Sequence, residues 1–105
     1  MEIKKININQ INPAPYNPRK DLQPDDLEYK QIEASIDCFG LVEPLVWNSR
    51  TKNLIGGHQR FKILVSKGHK EIEVSIVDLD LEREKALNIA LNKVKGAWDK
   101  GKLAV

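Results

Sequence analysis

The chain has 105 residues, 41% of them apolar and 30% charged, which fits one soluble globular domain with its own hydrophobic core. Its apolar runs fall short of the roughly 18 residues that cross a bilayer, and its N-terminus has no signal-peptide pattern, so we predict a cytoplasmic protein without a membrane partner. The formal charge of +2 is too small to indicate a nucleic-acid partner by itself, and the one cysteine, Cys38, excludes an internal disulfide.

The first segment of the chain predicts a short strand followed by a proline-rich loop. Residues 3–8 carry isoleucines that alternate with polar side chains, which is typical of a strand. Residues 13–18 contain three prolines, which exclude a helix and predict an extended path. This loop ends in two cations, Arg19 and Lys20.

The next segment predicts an amphipathic helix that begins near Pro24 and ends at Gly40, a residue type that readily takes the left-handed conformation of a helix end. Asp25 and Asp26 are expected in its first turn, where the helix dipole favours anions. Cys38 is expected to be a small buried or half-buried residue, because no neighbouring His or Arg would activate its thiol. The predicted apolar face comprises Tyr29, Ile32, Ile36 and Phe39.

The middle of the chain predicts a strand, a polar turn and a second strand, followed by a helix. Residues 45–47 and 54–55 are strand formers on either side of a polar turn. The helix is predicted to begin around His58 and to end at Gly68. Its predicted apolar face comprises Phe61, Leu64 and Val65.

The last third of the chain predicts one more strand and one more helix. Residues 71–79 alternate cleanly, with Ile72, Val74 and Ile76 on one side of the strand. The apolar face predicted for the following helix comprises Leu87, Ala90, Leu91 and Val94. This order of elements predicts a small α+β domain with a mixed sheet and three to four helices. We expect residues 1–105 to be one domain, and a helical pattern cut short at the end suggests a fragment of a longer protein.

Two glycines, Gly56 and Gly57, stand between the second predicted strand of the middle segment and its helix. Glycines let the backbone approach a ligand closely, and the first amides of a helix form an anion site. Arg60 could add a forked contact to phosphate, with His58 and Gln59 as further donors. The proline-rich loop could add polar and cationic side chains to the same site, namely those of Asn17, Arg19 and Lys20.

The same pattern has simpler interpretations that remain open. A Gly-Gly turn between a strand and a helix often serves packing alone, and the chain would then be an interaction module. No metal site is predicted, because His58 and His69 are too far apart in sequence to share one helical turn.

Three motifs in order resemble the N-terminal domain of ParB-type chromosome-partitioning proteins, a family also labelled ParB-like nuclease. These motifs are Asn-Pro-Arg at 17–19, Gly-Leu-x-x-Pro-Leu at 40–45 and Gly-x-x-Arg at 57–60, and the resemblance covers about residues 6–95. The family shares its fold with sulfiredoxin, but His58 stands where that enzyme has its catalytic cysteine. We therefore do not expect sulfiredoxin activity.

The resemblance implies a site for cytidine triphosphate or another nucleoside triphosphate, with Mg²⁺ as a candidate companion ion. By matching motif positions, Arg19, Gly57 and Arg60 would hold phosphates, with Gly56, His58 and Gln59 beside them. Asn92 is near the family's third motif, but the flanking Glu and Arg are absent, so the resemblance does not imply efficient hydrolysis.

The resemblance also implies a module of a DNA-associated protein. Chromosome or plasmid partitioning and transcription regulation are the expected contexts, and residues 90–104 resemble ParB-like domains linked to DNA methyltransferases. DNA would be bound through other domains of the full-length protein, and two N-terminal domains could pair. A metal-dependent nuclease acting on DNA is the alternative function.

Overall fold

The computed structural model of the chain describes residues 2–13 and 22–91. A five-stranded mixed sheet and three α-helices make up this part, which confirms the predicted α+β class. The strands are β1 (Glu2–Asn7), β2 (Asn12–Pro13), β3 (Leu45–Asn48), β4 (Asn53–Gly56) and β5 (Glu71–Val77). The helices are α1 (Leu27–Phe39), α2 (His58–Ser66) and α3, which covers residues 81–91. No helix in the described ranges is long and apolar enough to cross a membrane.

The order of elements along the chain is the predicted one, with two additions. A short 3-10 helix (Ile8–Gln10) and the two-residue strand β2 follow β1. A strand of two residues is too short to show a sequence period, which is why no pattern predicted it. The helical pattern at the end of the chain lies outside the described residues.

The sheet has the strand order β1-β5-β3-β4-β2. The outer strand β1 pairs antiparallel with β5, which runs parallel to β3. The central hairpin joins β3 and β4 antiparallel, with Val46 opposite Gly56. The end of β4 therefore lies beside the start of β3, and the glycine pair is brought next to the loop of residues 40–44 that precedes β3.

The core lies between the sheet and helices α1 and α2. One cluster is built on the sheet and comprises Ile11, Leu45, Trp47, Leu54, Leu64, Ile72 and Val74. A second cluster joins the two helices and comprises Leu22, Tyr29 and Ile63. The predicted alternation of β5 is confirmed, because Ile72 and Val74 are buried.

Several details predicted for α1 differ in the structure. Tyr29 is buried at 4% exposure, as predicted, but Phe39 is 74% exposed and Cys38 is also exposed. Helical spacing shows which side chains share a face, but not how far along the helix its neighbours reach. Asp25 and Asp26 precede the helix, and a carboxylate oxygen of Asp26 accepts a hydrogen bond from the Gln23 amide at 2.8 Å. Gly40 ends the helix with a φ of +76°, as predicted.

The buried faces of α2 and α3 also differ from the predicted ones. In α2, Ile63 and Gln59 are buried with Leu64, whereas Val65 is exposed. In α3, the buried residues are Glu84 and Asn88, one helical turn apart, and Ala90 is exposed. Val94 lies outside the described residues. Leu87 and Leu91, which were predicted, are half-buried. Helix α3 thus packs through two polar side chains as well, which an apolar period does not reveal.

The buried carboxylate of Glu84 is the centre of this polar contact. It accepts hydrogen bonds from Asn48 Nδ2 at 2.8 Å and Asn53 Nδ2 at 2.9 Å, and from the Thr51 hydroxyl. Asn88 Nδ2 donates to a backbone carbonyl of β4 at 2.9 Å. Buried polar groups are stabilising only when their partners are in place, so these bonds fix the position of α3 against β3 and β4.

Candidate functional site

A cleft of about 490 Å³ opens where the start of α2 meets α1 and the loop 40–44. All five residues from Gly56 to Arg60 line it, so the structure brings the predicted glycine box together around one cavity. The apolar part of its wall comprises Ile32, Ile36, Leu41, Val42, Pro44, Val46 and Leu91. The site therefore combines an apolar wall with polar groups, among them those at the start of α2.

Gly57 occupies a position that only glycine fits. Its φ of +88° lies in the left-handed region, which is unfavourable for residues with a side chain. A Cβ atom there would lie 2.4 Å from Cδ2 of Leu45, which is fully buried, and 3.0 Å from Nη2 of Arg60. Gly57 thus has a packing reason and lets the guanidinium lie against the backbone, while its role toward a ligand stays a prediction.

Helix α2 begins directly from this glycine. Its first intrahelical bond runs from the Phe61 amide to the Gly57 carbonyl at 2.8 Å, and no side chain of the N-cap residue caps the turn. The first amides of an α-helix point out of its N-terminal end, which carries a partial positive charge. The first turn of α2 lines the cleft, so this end of the helix favours an anion there.

Arg60 is the cation of the cleft among the described residues. Its guanidinium is half-buried, and Nη1 donates a hydrogen bond to the carbonyl of Glu43 at 2.5 Å. Burial lowers the pKa of Arg60, and the nearby charge of Glu43 partly offsets that shift. A guanidinium remains charged at neutral pH and carries five donors, so Arg60 keeps donors for a ligand while one contact orients it.

Gln59 has a contact that the sequence did not predict. Its Oε1 accepts a hydrogen bond from the Leu22 amide at 3.2 Å, and Lys62 Nζ donates to the Leu22 carbonyl at 2.7 Å. The Leu22 side chain is buried against Tyr29. Gln59 therefore joins α2 to the chain that leads into α1, and its role toward a nucleotide stays a prediction.

Replacing Gln59 by alanine is expected to lower the free energy of unfolding by about 1–2 kcal/mol, because the Leu22 amide loses its buried acceptor. Urea denaturation would measure the loss. Gln31, which is exposed on α1 and lines the same cleft, is the matched control, and its replacement by alanine should change stability by less than about 0.5 kcal/mol. Equal stability of the two variants would contradict a structural role for Gln59.

Of the remaining predicted site residues, one lines the cleft and four lie outside the described residues. His58 lines the cleft with its Nε2 buried, and its role toward a ligand stays a prediction. Asn17, Arg19, Lys20 and Asn92 lie outside the described residues.

The structure adds residues to the cleft that the sequence analysis did not single out. Glu28, Gln31, Ser35 and Glu43 are polar members of its lining. Glu43 and Arg60 are 17 positions apart, and they meet because β3 and β4 are paired. Glu43 falls within the Gly-Leu-x-x-Pro-Leu motif at 40–45, but the motif alone does not show which side chain faces the cation.

Comparison with known proteins gives the same family throughout. The family model described as the ParB N-terminal domain matches residues 1–93. A probable chromosome-partitioning protein ParB of Campylobacter jejuni is 33% identical over 89 residues, which cover 83% of this chain and 31% of that protein. The corresponding protein of Helicobacter pylori is 32% identical over 91 residues, covering 85% of this chain and 30% of that protein. The chain thus spans about a third of the length of these relatives.

Solved structures show the same fold. A C-terminally truncated ParB from Caulobacter crescentus, complexed with CTP-γ-S, aligns with a TM-score of 0.73 at 16% identity, covering 88% of this chain and 53% of that one. A pNOB8-like ParB N-domain aligns with a TM-score of 0.68 at 22% identity, covering 86% of this chain and 32% of that one. The sequence motifs, the sheet topology and the family match agree, and the chain belongs to the ParB N-terminal domain family.

Proposed function

We propose that this domain binds a nucleoside triphosphate, with cytidine triphosphate as the first candidate. The observation that carries the proposal is that Gly57 and the first turn of α2, which includes Arg60, line one cleft. The Caulobacter crescentus ParB complexed with CTP-γ-S supports it, because the two chains share a fold.

The described part of the cleft fits the two halves of such a ligand. Phosphate oxygens suit the start of α2, where the helix dipole and the guanidinium of Arg60 both favour negative charge. The apolar wall suits the base and sugar, and the volume of about 490 Å³ is within the range of small-molecule pockets. Mg²⁺ would accompany the triphosphate as its counter-ion, and we assign no residue to it.

We further propose that the domain works within a DNA-associated protein. A second Caulobacter crescentus ParB structure is complexed to the centromeric parS site. Chromosome or plasmid partitioning is the favoured context, residues 1–105 would be one domain, and DNA would be bound through other parts of a longer protein. Pairing of two N-terminal domains belongs to the same proposal.

The nuclease alternative has less support in the structure. Among residues 2–13 and 22–91, no group of three or more His, Cys, Asp or Glu side chains is arranged to hold a metal ion. A two-metal or one-metal hydrolytic centre would use such a group. We therefore propose nucleotide binding rather than nuclease activity for this cleft.

Calorimetry with cytidine triphosphate and Mg²⁺ tests the proposal. The wild-type chain should bind, and Arg60→Ala should weaken binding by about 30- to 100-fold, because a charge-assisted contact in a partly buried site is lost. Arg50→Ala is the matched control, since Arg50 is exposed, pairs with Asp78 at 3.0 Å and lies outside the cleft. Binding that is equal in wild type and Arg60→Ala would remove the proposal.

A further inference from the structure

Glu43 lies beside the only arginine that the described residues contribute to the cleft. Its backbone carbonyl accepts the hydrogen bond from Arg60 Nη1 at 2.5 Å, and both residues line the cavity. The Glu43 side chain itself is exposed. The charge of Glu43 nevertheless acts on Arg60, because it opposes the lowering of the Arg60 pKa by burial, so the cation of the site has a carboxylate as a neighbour.

The fold determines this pairing. Gly40 turns the chain at the end of α1 with a φ of +76°, and residues 41–44 then run along the rim of the cleft into β3. Val46 is opposite Gly56 in the β3–β4 hairpin, so the residues just before β3 and just after β4 share one corner. Glu43 and Arg60 are held at this corner from opposite sides.

The backbone and the side chain of Glu43 act in opposite directions on an anionic ligand. The carbonyl is neutral, so it orients the guanidinium without adding a negative charge. A guanidinium that is already oriented loses less entropy on binding, which favours binding. The carboxylate places a negative charge at the same corner, where it repels a second negative charge. A cleft with one arginine and an adjacent acid attracts anions less than the arginine alone would.

We propose that Glu43 sets the affinity of this cleft for anions and reduces it most for the most highly charged ones, an inference that rests on the proposed nucleotide binding. The penalty grows with the number of phosphates, since each added charge meets the same carboxylate. It also falls with ionic strength, because the side chain is exposed to solvent and its field is screened. Glu43 is thus a specificity-determining residue that acts through charge.

The substitution Glu43→Gln tests this effect. It keeps the length of the side chain and the backbone carbonyl that contacts Arg60, removes the charge, and turns one acceptor oxygen into an amide donor. Glu71→Gln is the matched control, because Glu71 is an exposed residue of β5 outside the cleft and its replacement changes the net charge equally. Unfolding midpoints of both variants should match that of the wild type, since both positions are exposed.

The experiment is calorimetric titration of the three proteins with cytidine mono-, di- and triphosphate without Mg²⁺, and with the triphosphate in Mg²⁺. At low salt, Glu43→Gln should bind the monophosphate about two-fold and the triphosphate about five- to ten-fold more tightly than wild type, and the gain should shrink at about 0.3 M salt. Glu71→Gln should bind like the wild type in every titration.

Each outcome separates the two proposals. If the wild type binds and Glu43→Gln shows no gain, or the same gain for all three nucleotides, the role of Glu43 is overturned while nucleotide binding stands. Weaker binding of the triphosphate by Glu43→Gln in Mg²⁺ would also overturn it, because the carboxylate would then be helping the complex. If no protein binds any nucleotide, the proposed function fails and the role of Glu43 fails with it.

Discussion

Replacing Glu84 by alanine should lower the free energy of unfolding by about 3 kcal/mol or more, because three donors lose a buried acceptor. Glu84 is fully buried and receives hydrogen bonds from Asn48, Thr51 and Asn53. Its carboxylate connects α3 to both strands of the central hairpin, so its loss removes the polar contact that positions the helix. Urea denaturation followed by circular dichroism would measure the change.

Two variants on the same helix control this prediction. Glu82 is exposed on α3, and Glu82→Ala should change stability by less than about 0.5 kcal/mol. Glu84→Gln keeps the shape but turns part of the acceptor into a donor that faces other donors, so an intermediate loss of about 1–2 kcal/mol is expected. A stability of Glu84→Ala equal to that of Glu82→Ala would show that the network does not hold α3.

Replacing Gly57 by alanine should destabilise the domain by about 3 kcal/mol, from two causes that add. A left-handed backbone costs an alanine about 1–2 kcal/mol, and forcing a methyl group into a filled core costs about 1–3 kcal/mol. The methyl group would be 2.4 Å from a buried Leu45 atom and 3.0 Å from the Arg60 guanidinium. If the proposed nucleotide binding holds, affinity should fall as well, because Arg60 must move. Thermal or urea unfolding measures the first effect and calorimetry the second.

Gly68 is a matched control for the backbone cost alone. Its φ is +89°, close to that of Gly57, but no atom lies within 4 Å of an added Cβ. Gly68→Ala should therefore cost only the backbone term of about 1–2 kcal/mol. Similar losses in the two variants would mean that Leu45 gives way and that close packing is not the reason for Gly57.

The architecture was largely predictable because the spacing of apolar side chains along a segment reflects whether that segment is a helix or a strand. The alternation of residues 71–79 marks β5, since side chains of a strand point to opposite faces. The glycines at 40 and 57 mark the end of one helix and the start of the next, since both have positive φ. The strand order and the two-residue β2 were not predictable, because pairing between distant segments leaves no local period.

The candidate site was likewise predictable only in part. The glycine box from Gly56 to Arg60 was recognised from five consecutive residues, and the cleft collects all of them. The contact of Glu43 with Arg60 and that of Gln59 with Leu22 join residues 17 and 37 positions apart. Such contacts depend on how elements pack, so they could be known only from the folded chain.

The sequence alone determined the three helices and the longer strands, because hydrogen bonding and side-chain spacing within a segment depend on its own residues. The phosphate site at the glycine box stays a prediction. Only the tertiary structure decided burial where the apolar pattern misled, and it exposed Phe39 while burying Glu84 and Asn88. The physical reason is that burial is a property of pairs of surfaces. A polar side chain can be buried wherever the opposing surface supplies its hydrogen-bond partners.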